Sequence, residues 1–186
     1  MPLHPLPKLD PDVRLRGKVD EDMLDRFLAQ YAQAAGGTGP IVVEISTIGG
    51  DADIGRRIAL EIRIGLERGH DVWLLGKTIV YSAGVTVLAA VPVARRFLSR
   101  DAVLLIHERR IDKQLHFQGP LRACAAIARD VLAEIENGQR LERAGFEELV
   151  AGSRLPIDEL DRHVLSGNWY LSAQEALERG LVAGIV

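Results

Sequence analysis

Hydrophobic positions change period along this chain, and the changes divide it into elements. Val13 to Leu15 predicts a short strand that ends at Gly17. Met23, Leu24, Phe27, Leu28 and Tyr31 recur at three- and four-residue intervals. They form one apolar face of a helix that Asp20 can cap and Gly36, Gly37 and Gly39 can stop. Ile41 to Ile45 is a β-branched run, the mark of a buried strand. After Ser46-Thr-Ile-Gly-Gly50 the helical period returns, with Ile54, Ile58, Ile62 and Leu66 four apart in a helix over Asp51 to Arg68. Asp71 to Gly76 is a further strand. Thr78 to Ala90 follows, a strand-to-helix junction centred on Ser82.

The second half is less regular. Arg95 to Leu98 and Val103 to His107 are strand candidates, and Arg109 to Gln118 is polar and irregular, in the manner of an extended hairpin. Leu121 to Val150 predicts a long helix with weak points at Gly138 and Gly145. Pro156 opens a short helix to His163, and Tyr170-Leu171 is a brief strand. Ser172 and Glu175 form a capping box for a helix through Arg179, and Leu181 to Val186 closes the chain as a strand. Strand and helix alternate through the first half, which predicts an α/β domain with a parallel sheet. Residues 1–12, proline-rich, read as a flexible arm, and 13–186 as a single domain.

Composition narrows the function classes. The 186 residues are 47% hydrophobic and 26% charged, with a net charge of −3, an ordinary globular balance for one core. No basic segment suits nucleic acid, and no apolar run reaches the roughly 18 residues of a membrane span. Met1 to Pro11 has no signal-peptide core. The lone Cys124 has no partner for a disulfide and reads as a small buried hydrophobe. The expectation is a soluble cytoplasmic protein. No histidine has metal-ligand spacing, so neither a metal nor another cofactor is expected.

Three groups carry candidate chemistry. Ser82 lies where a strand gives way to a helix, with Ala83 and Gly84 behind it. This arrangement serves a helix cap or an activated nucleophile. Gly49-Gly50 follows another strand and offers either a helix-entry turn or backbone donors for an anion. His107 ends the apolar run Val103-Leu-Leu-Ile106. In a parallel sheet the three would share the edge formed by strand C-termini, where ligands bind. There His107 could take the proton of Ser82. The Arg95-Arg96 and Glu108-Arg109-Arg110 runs read as solvated charge.

These stretches together resemble the proteolytic subunit of the Clp protease. The resemblance runs from about Val13 to Val186. Arg14-Leu-Arg-Gly-Lys-Val-Asp-Glu-Asp-Met23 is similar to the family's opening segment, and Ser46-Thr-Ile-Gly-Gly50 to its Asn-Ser-Pro-Gly-Gly loop. Tyr81-Ser-Ala-Gly-Val85 resembles its nucleophile motif Ala-Ser-Met-Gly-Ala, and Leu104-Leu-Ile-His107 the strand ending in its histidine. Gln118-Gly119 and Tyr170-Leu-Ser-Ala-Gln-Glu-Ala-Leu-Glu-Arg-Gly-Leu-Val182 complete the series. The resemblance implies a crotonase-like, ClpP-like fold of repeated β-β-α units with a protruding handle helix. It implies a serine peptidase acting on peptide or unfolded protein, assembled as a homo-oligomeric ring. Ser82 would be nucleophile and His107 base, with the N–H groups of Gly50 and Ala83 as oxyanion hole.

The chain also departs from the family. The family's third catalytic residue is an aspartate; the matching position is Asn168, with Asp161 as the alternative. Asparagine can orient an imidazole but brings no charge. Ile48 replaces the loop proline, and two extra residues separate Gly76 from Ser82. The charged Glu108-Arg-Arg-Ile-Asp-Lys113 stands where the family has a glycine-rich, peptide-pairing strand. The segment that meets the family's AAA+ unfoldase partner is missing or reduced to Met1 to Pro11, which leaves that partnership open. Two rival expectations follow: a Clp-like scaffold subunit with weak or no catalysis, and an acyl-CoA enzyme of the crotonase superfamily.

Overall fold

The structure, a computed structural model, describes residues 6–186; His4 and the start of the expected arm lie outside the described residues. Three strand–helix turns build the first half: β1 (Val13–Val19), α1 (Glu21–Ala35), β2 (Ile41–Gly50), α2 (Ala52–Glu67), β3 (Val72–Tyr81) and α3 (Ala83–Leu88). A single 3-10 turn (Val93–Arg95) leads to β4 (Arg96–Leu98) and β5 (Val103–Ile106). The long α4 (Leu121–Val150), α5 (Ile157–Leu165), β6 (Trp169–Ser172), α6 (Ala173–Glu178) and β7 (Gly184–Ile185) complete the chain. The main sheet runs β1-β2-β3-β4-β7, all parallel.

Helix starts follow the sequence signals. Asp20 accepts from the Met23 amide, Asp51 from Asp53 and Ile54, and the Ser172–Glu175 box is closed in both directions. Met23, Leu24, Phe27 and Tyr31 are buried along α1, and Ile58 and Ile62 along α2, facing one continuous core with β1 to β3. Leu28, expected on that face, is instead exposed.

Several boundaries differ from expectation: β3 runs on past Gly76 to Tyr81, the closing strand is only Gly184–Ile185, and four further differences each have a local reason. β1 continues past Gly17, because a register shift between Gly17 and Lys18 absorbs the irregularity as a bulge. β2 runs on through Gly50, since Lys18 and Val19 still pair with Gly49 and Gly50. α4 is unbroken at Gly138 and Gly145, where a side chain would meet only open space. Residues 109–118 form no hairpin; they lack a pairing partner and lie extended along α4.

The strand β3 forks the sheet. Its first part, Leu74 to Gly76, pairs with β4, and its last part, Ile79 to Tyr81, pairs with β5. Thr78 turns the chain between them with φ 56°. Beyond the fork, β5 also pairs antiparallel with β6, from Val103–Ser172 to Ile106–Trp169. The sheet is therefore mixed rather than wholly parallel. Past the fork β3 keeps its pairing with β2 at Thr47–Val80 and exchanges β4 for β5, which leaves Ser82 between the ends of β2 and β5.

On the other face of the sheet, Leu6 packs with Val42, Leu75 and Phe97, and Asp12 exchanges hydrogen bonds with Val42. Two charges expected in solvent or unnoticed are buried there and beneath α4. Arg96 is 2% exposed and Glu44 is 2% exposed. Glu44 is held by Arg16 and Lys77 from the two neighbouring strands, both at 2.6 Å. Burial works against its ionisation, but the hydrogen bonds from Lys77 and Arg16 together outweigh that and hold its carboxyl below the usual range. Cys124 is half-buried rather than fully so.

Candidate active site

Ser82 sits one residue past Tyr81, which is paired with Leu105 across the parallel β3–β5 ladder. Its own amide donates to the Leu105 carbonyl at 2.8 Å. His107 lies just past the end of β5, so both residues emerge at the same sheet edge. Two parallel strands in register, each ending beside a candidate residue, place Ser82 and His107 on one cleft without a long loop, and no hydrogen bond joins the two side chains. His107 is the first residue after its strand rather than the last within it, which frees its backbone to turn.

The serine's backbone is unusual. Ser82 has φ 53° and ψ −116° and makes no side-chain cap to α3, so it is not an ordinary helix cap. A non-glycine residue in such a conformation persists only where its surroundings enforce it. They do. Its carbonyl accepts from Val85 at 2.8 Å while its amide is tied to β5. Gly84 lets α3 seat directly on β2, since a Cβ there would stand 2.4 Å from Thr47 Cγ2. The end of β2 is equally constrained. A Cβ on Gly49 would lie 2.8 Å from Ser82 Cβ, and Gly49 holds φ 90°. Buried Thr47 donates to the Gly17 carbonyl and accepts from the Gly49 amide at 3.0 Å, fixing that turn.

Ser82, Ala83, Gly50 and His107 line one cleft of about 610 Å³, bounded by the start of α2 and the base of α4. Its walls carry both apolar groups (Val85, Leu141, Phe146) and charges. Arg63 of α2 and Glu148 of α4 pair at 2.9 Å. Arg109 reaches across to Asp53 at 2.8 Å, and the hydrogen bond it donates there is the main reason the Asp53 carboxyl lies below its usual range.

The segment after His107 is laid along α4. The Arg109 amide donates to Glu142, and Lys113 pairs with Glu134. Four extended residues span about 13 Å, close to the roughly 12 Å of eight helical ones. The two contacts therefore fit a straight antiparallel strap. The His107 ring donates through Nδ1 to the Glu108 carbonyl at 2.5 Å. A carbonyl only accepts, so Nδ1 carries the proton and Nε2 is left as the basic nitrogen.

Asn168 and Asp161 do not join this group. Asn168 is exposed, and its Oδ1 accepts from Arg110 at 3.2 Å. Asp161 is paired with Arg143 of α4. Sequence reasoning also passed over Glu142, Arg109 and Asp53. One signal was available for Glu142: it shares the inward face of α4 with Phe146 and Leu149, at intervals of four and three. Among the described residues, no group of three or more His, Cys, Asp or Glu is placed to hold a metal ion, and no helix is long and apolar enough to cross a membrane.

Comparison with known proteins gives one consistent answer. A family profile described as Clp protease matches residues 9–186. ATP-dependent Clp protease proteolytic subunit 3 of Rhizobium johnstonii is 26% identical, over 91% of this chain and 80% of that one. Proteolytic subunit 2 of Treponema pallidum is also 26% identical, over 94% of this chain and 81% of its own length. Among solved structures, a mutant of ClpP1 from Listeria monocytogenes superposes with a TM-score of 0.74 at 18% identity, covering 94% of this chain and 90% of that one. The forked sheet, the protruding α4 and the profile match over nearly the full length agree, and the chain belongs to the Clp protease family.

Proposed function

We propose that the protein is a serine peptidase that cleaves peptides through an acyl-enzyme. The observation that carries this reading is the constrained backbone of Ser82 on the same cleft as His107, whose Nδ1–H donation to the Glu108 carbonyl leaves Nε2 as the nitrogen that can take a proton. Ser82 Oγ attacks the scissile carbonyl while His107 Nε2 takes its proton and returns it to the leaving amine. The Gly50 and Ala83 amides receive the developing oxyanion, each donor contributing roughly 3 kcal/mol to the transition state. Water then releases the acyl group by the same route. Asn168 is the residue at the family's third position, and closing onto His107 would require it to leave Arg110.

Hydrolysis of short N-acyl peptide amides with a fluorogenic leaving group tests the reading. Ser82→Ala and His107→Ala should each lower kcat by about 10⁴-fold or more. Equal turnover by wild type and Ser82→Ala would rule it out.

The family's substrates and assembly suggest that the chain acts on peptides or unfolded protein as a homo-oligomer. The exposed Ile127, Leu132 and Ile135 of α4 supply apolar surface for a second copy. Sedimentation at the mass of one 20.4 kDa chain would contradict this. A second reading, a subunit that keeps the fold and assembly without hydrolysis, is favoured by the engagement of Asn168 with Arg110. It predicts a folded protein with no turnover.

A further inference from the structure

We propose that Glu142 is a positioning residue for His107, acting through the peptide unit between Glu108 and Arg109. The inference rests on the assignment of His107 as the base. Both faces of that one peptide group are engaged. Its carbonyl, on Glu108, accepts from His107 Nδ1–H, and its amide, on Arg109, donates to the Glu142 carboxylate. The side chain of Arg109 is anchored separately on Asp53. The peptide plane is thus fixed from two sides, by α4 and by α2, and its carbonyl has one direction in which to point.

A relay through a peptide does two things that a third catalytic residue does. It selects the imidazole tautomer, because only Nδ1–H can satisfy the carbonyl. It also places a negative charge at the far end of the peptide that the ring contacts, and a carboxylate that accepts from an amide strengthens the carbonyl of that amide as an acceptor. Neither residue at the expected third position competes for the ring: Asn168 faces Arg110 and Asp161 faces Arg143. Of the other charges on the cleft walls, Asp53 pairs with Arg56 and Arg109 and Glu148 with Arg63, Asp51 caps α2, Arg110 donates to Asn168, and Glu108 forms no ion pair among the described residues. Glu142 makes no salt bridge to a basic side chain among the described residues. Burial raises its carboxyl above the usual range despite the bond from the Arg109 amide; the nearby Glu108 carboxylate adds to the rise, while the charges of Arg109 and, least, His107 pull it back down in part. A carboxylate kept partly desolvated with an imidazole as neighbour is placed to respond to the imidazolium.

The mechanism separates orientation from charge, and two variants read them apart. Glu142→Gln keeps an acceptor for the Arg109 amide but removes the charge. Glu142→Ala removes both. Nitrogen NMR on histidine-labelled full-length protein reports the His107 tautomer, with the signal identified by its loss in His107→Gln. Wild type and Glu142→Gln should both hold the Nδ1–H form, and Glu142→Ala should become a mixture. In hydrolysis, the acid limb of the kcat/KM profile should move to lower pH in Glu142→Gln, because the imidazolium has lost a nearby negative charge. In Glu142→Ala, kcat should fall roughly 10- to 100-fold, part of what a general base supplies. Glu134→Gln, further along the same strap, should change neither the tautomer nor the profile. A His107 tautomer unaltered in Glu142→Ala would overturn the proposal. If wild type shows no hydrolysis, the peptidase reading fails while the tautomer measurement still judges Glu142.

Discussion

At the scale of single residues, Ser82 is a place where structure opposes local preference. Its φ of 53° with ψ −116° costs on the order of 1–3 kcal/mol for a residue with a Cβ. The neighbours that enforce it are named: the Leu105 carbonyl, the Val85 amide and the close backbone of Gly49. Glycine would adopt this conformation freely but loses roughly 1 kcal/mol more chain entropy on folding. Ser82→Gly should therefore unfold at higher urea than Ser82→Ala, by about 1 kcal/mol of stability. Both lack the hydroxyl, so the comparison isolates the backbone. Equal midpoints would show that the strain at Ser82 is no larger than the entropy that glycine loses, about 1 kcal/mol.

Among elements, the connection that matters most runs through Arg96. Its guanidinium donates to four main-chain carbonyls. Val91 at 2.8 Å and Ala89 at 3.3 Å lie at and just beyond the end of α3, and Leu149 at 2.7 Å and Glu148 at 3.3 Å lie in the last turn of α4. These are groups that helix ends leave without intrahelical partners, and a cation suits both helix C-termini. Burial draws the Arg96 pKa down to about 10, so it stays charged at neutral pH. It couples the helix that begins after Ser82 to the helix that carries Glu142. Arg96→Met should cost about 3–5 kcal/mol in urea unfolding, since the carbonyls remain buried without a donor. Arg96→Lys should recover only part of this, for an ammonium cannot reproduce the planar fork. A loss under about 1 kcal/mol would mean that the helix ends are held by packing alone.

The same scale shows what could be read in the sequence. Helix starts at Asp20, Asp51 and Ser172 were legible because capping is decided within four residues. The convergence of Ser82, His107 and Gly50 followed from strand order, which alternation of strand and helix implies. The fork at Thr78 was not legible, because it depends on which of two strands pairs with each half of β3. Arg96 looked like half of a surface Arg pair, since its burial is set by the distant end of α4. Arg109 looked solvated for the same reason and is half-buried, while Arg110 is exposed as expected. Their partners Asp53 and Asn168 are 56 and 58 residues away in sequence.

For the whole molecule, the design is a rigid core with a projecting arm that also serves the site. α4 is 30 residues long, about 45 Å, and Leu149 at its base is the one residue of the helix that is buried. That base closes the cleft behind His107, and the outer turns carry the exposed apolar residues offered to a second copy. The proposed assembly surface and the cleft thus share one element. The central claim is that Ser82 forms a covalent acyl intermediate. Intact-mass spectrometry after exposure to a fluorophosphonate tests it most directly. The account predicts one phosphonyl adduct per chain on Ser82, absent in Ser82→Ala and strongly slowed in His107→Ala. A folded wild-type protein that gains no adduct, or an adduct that persists in Ser82→Ala, would contradict it.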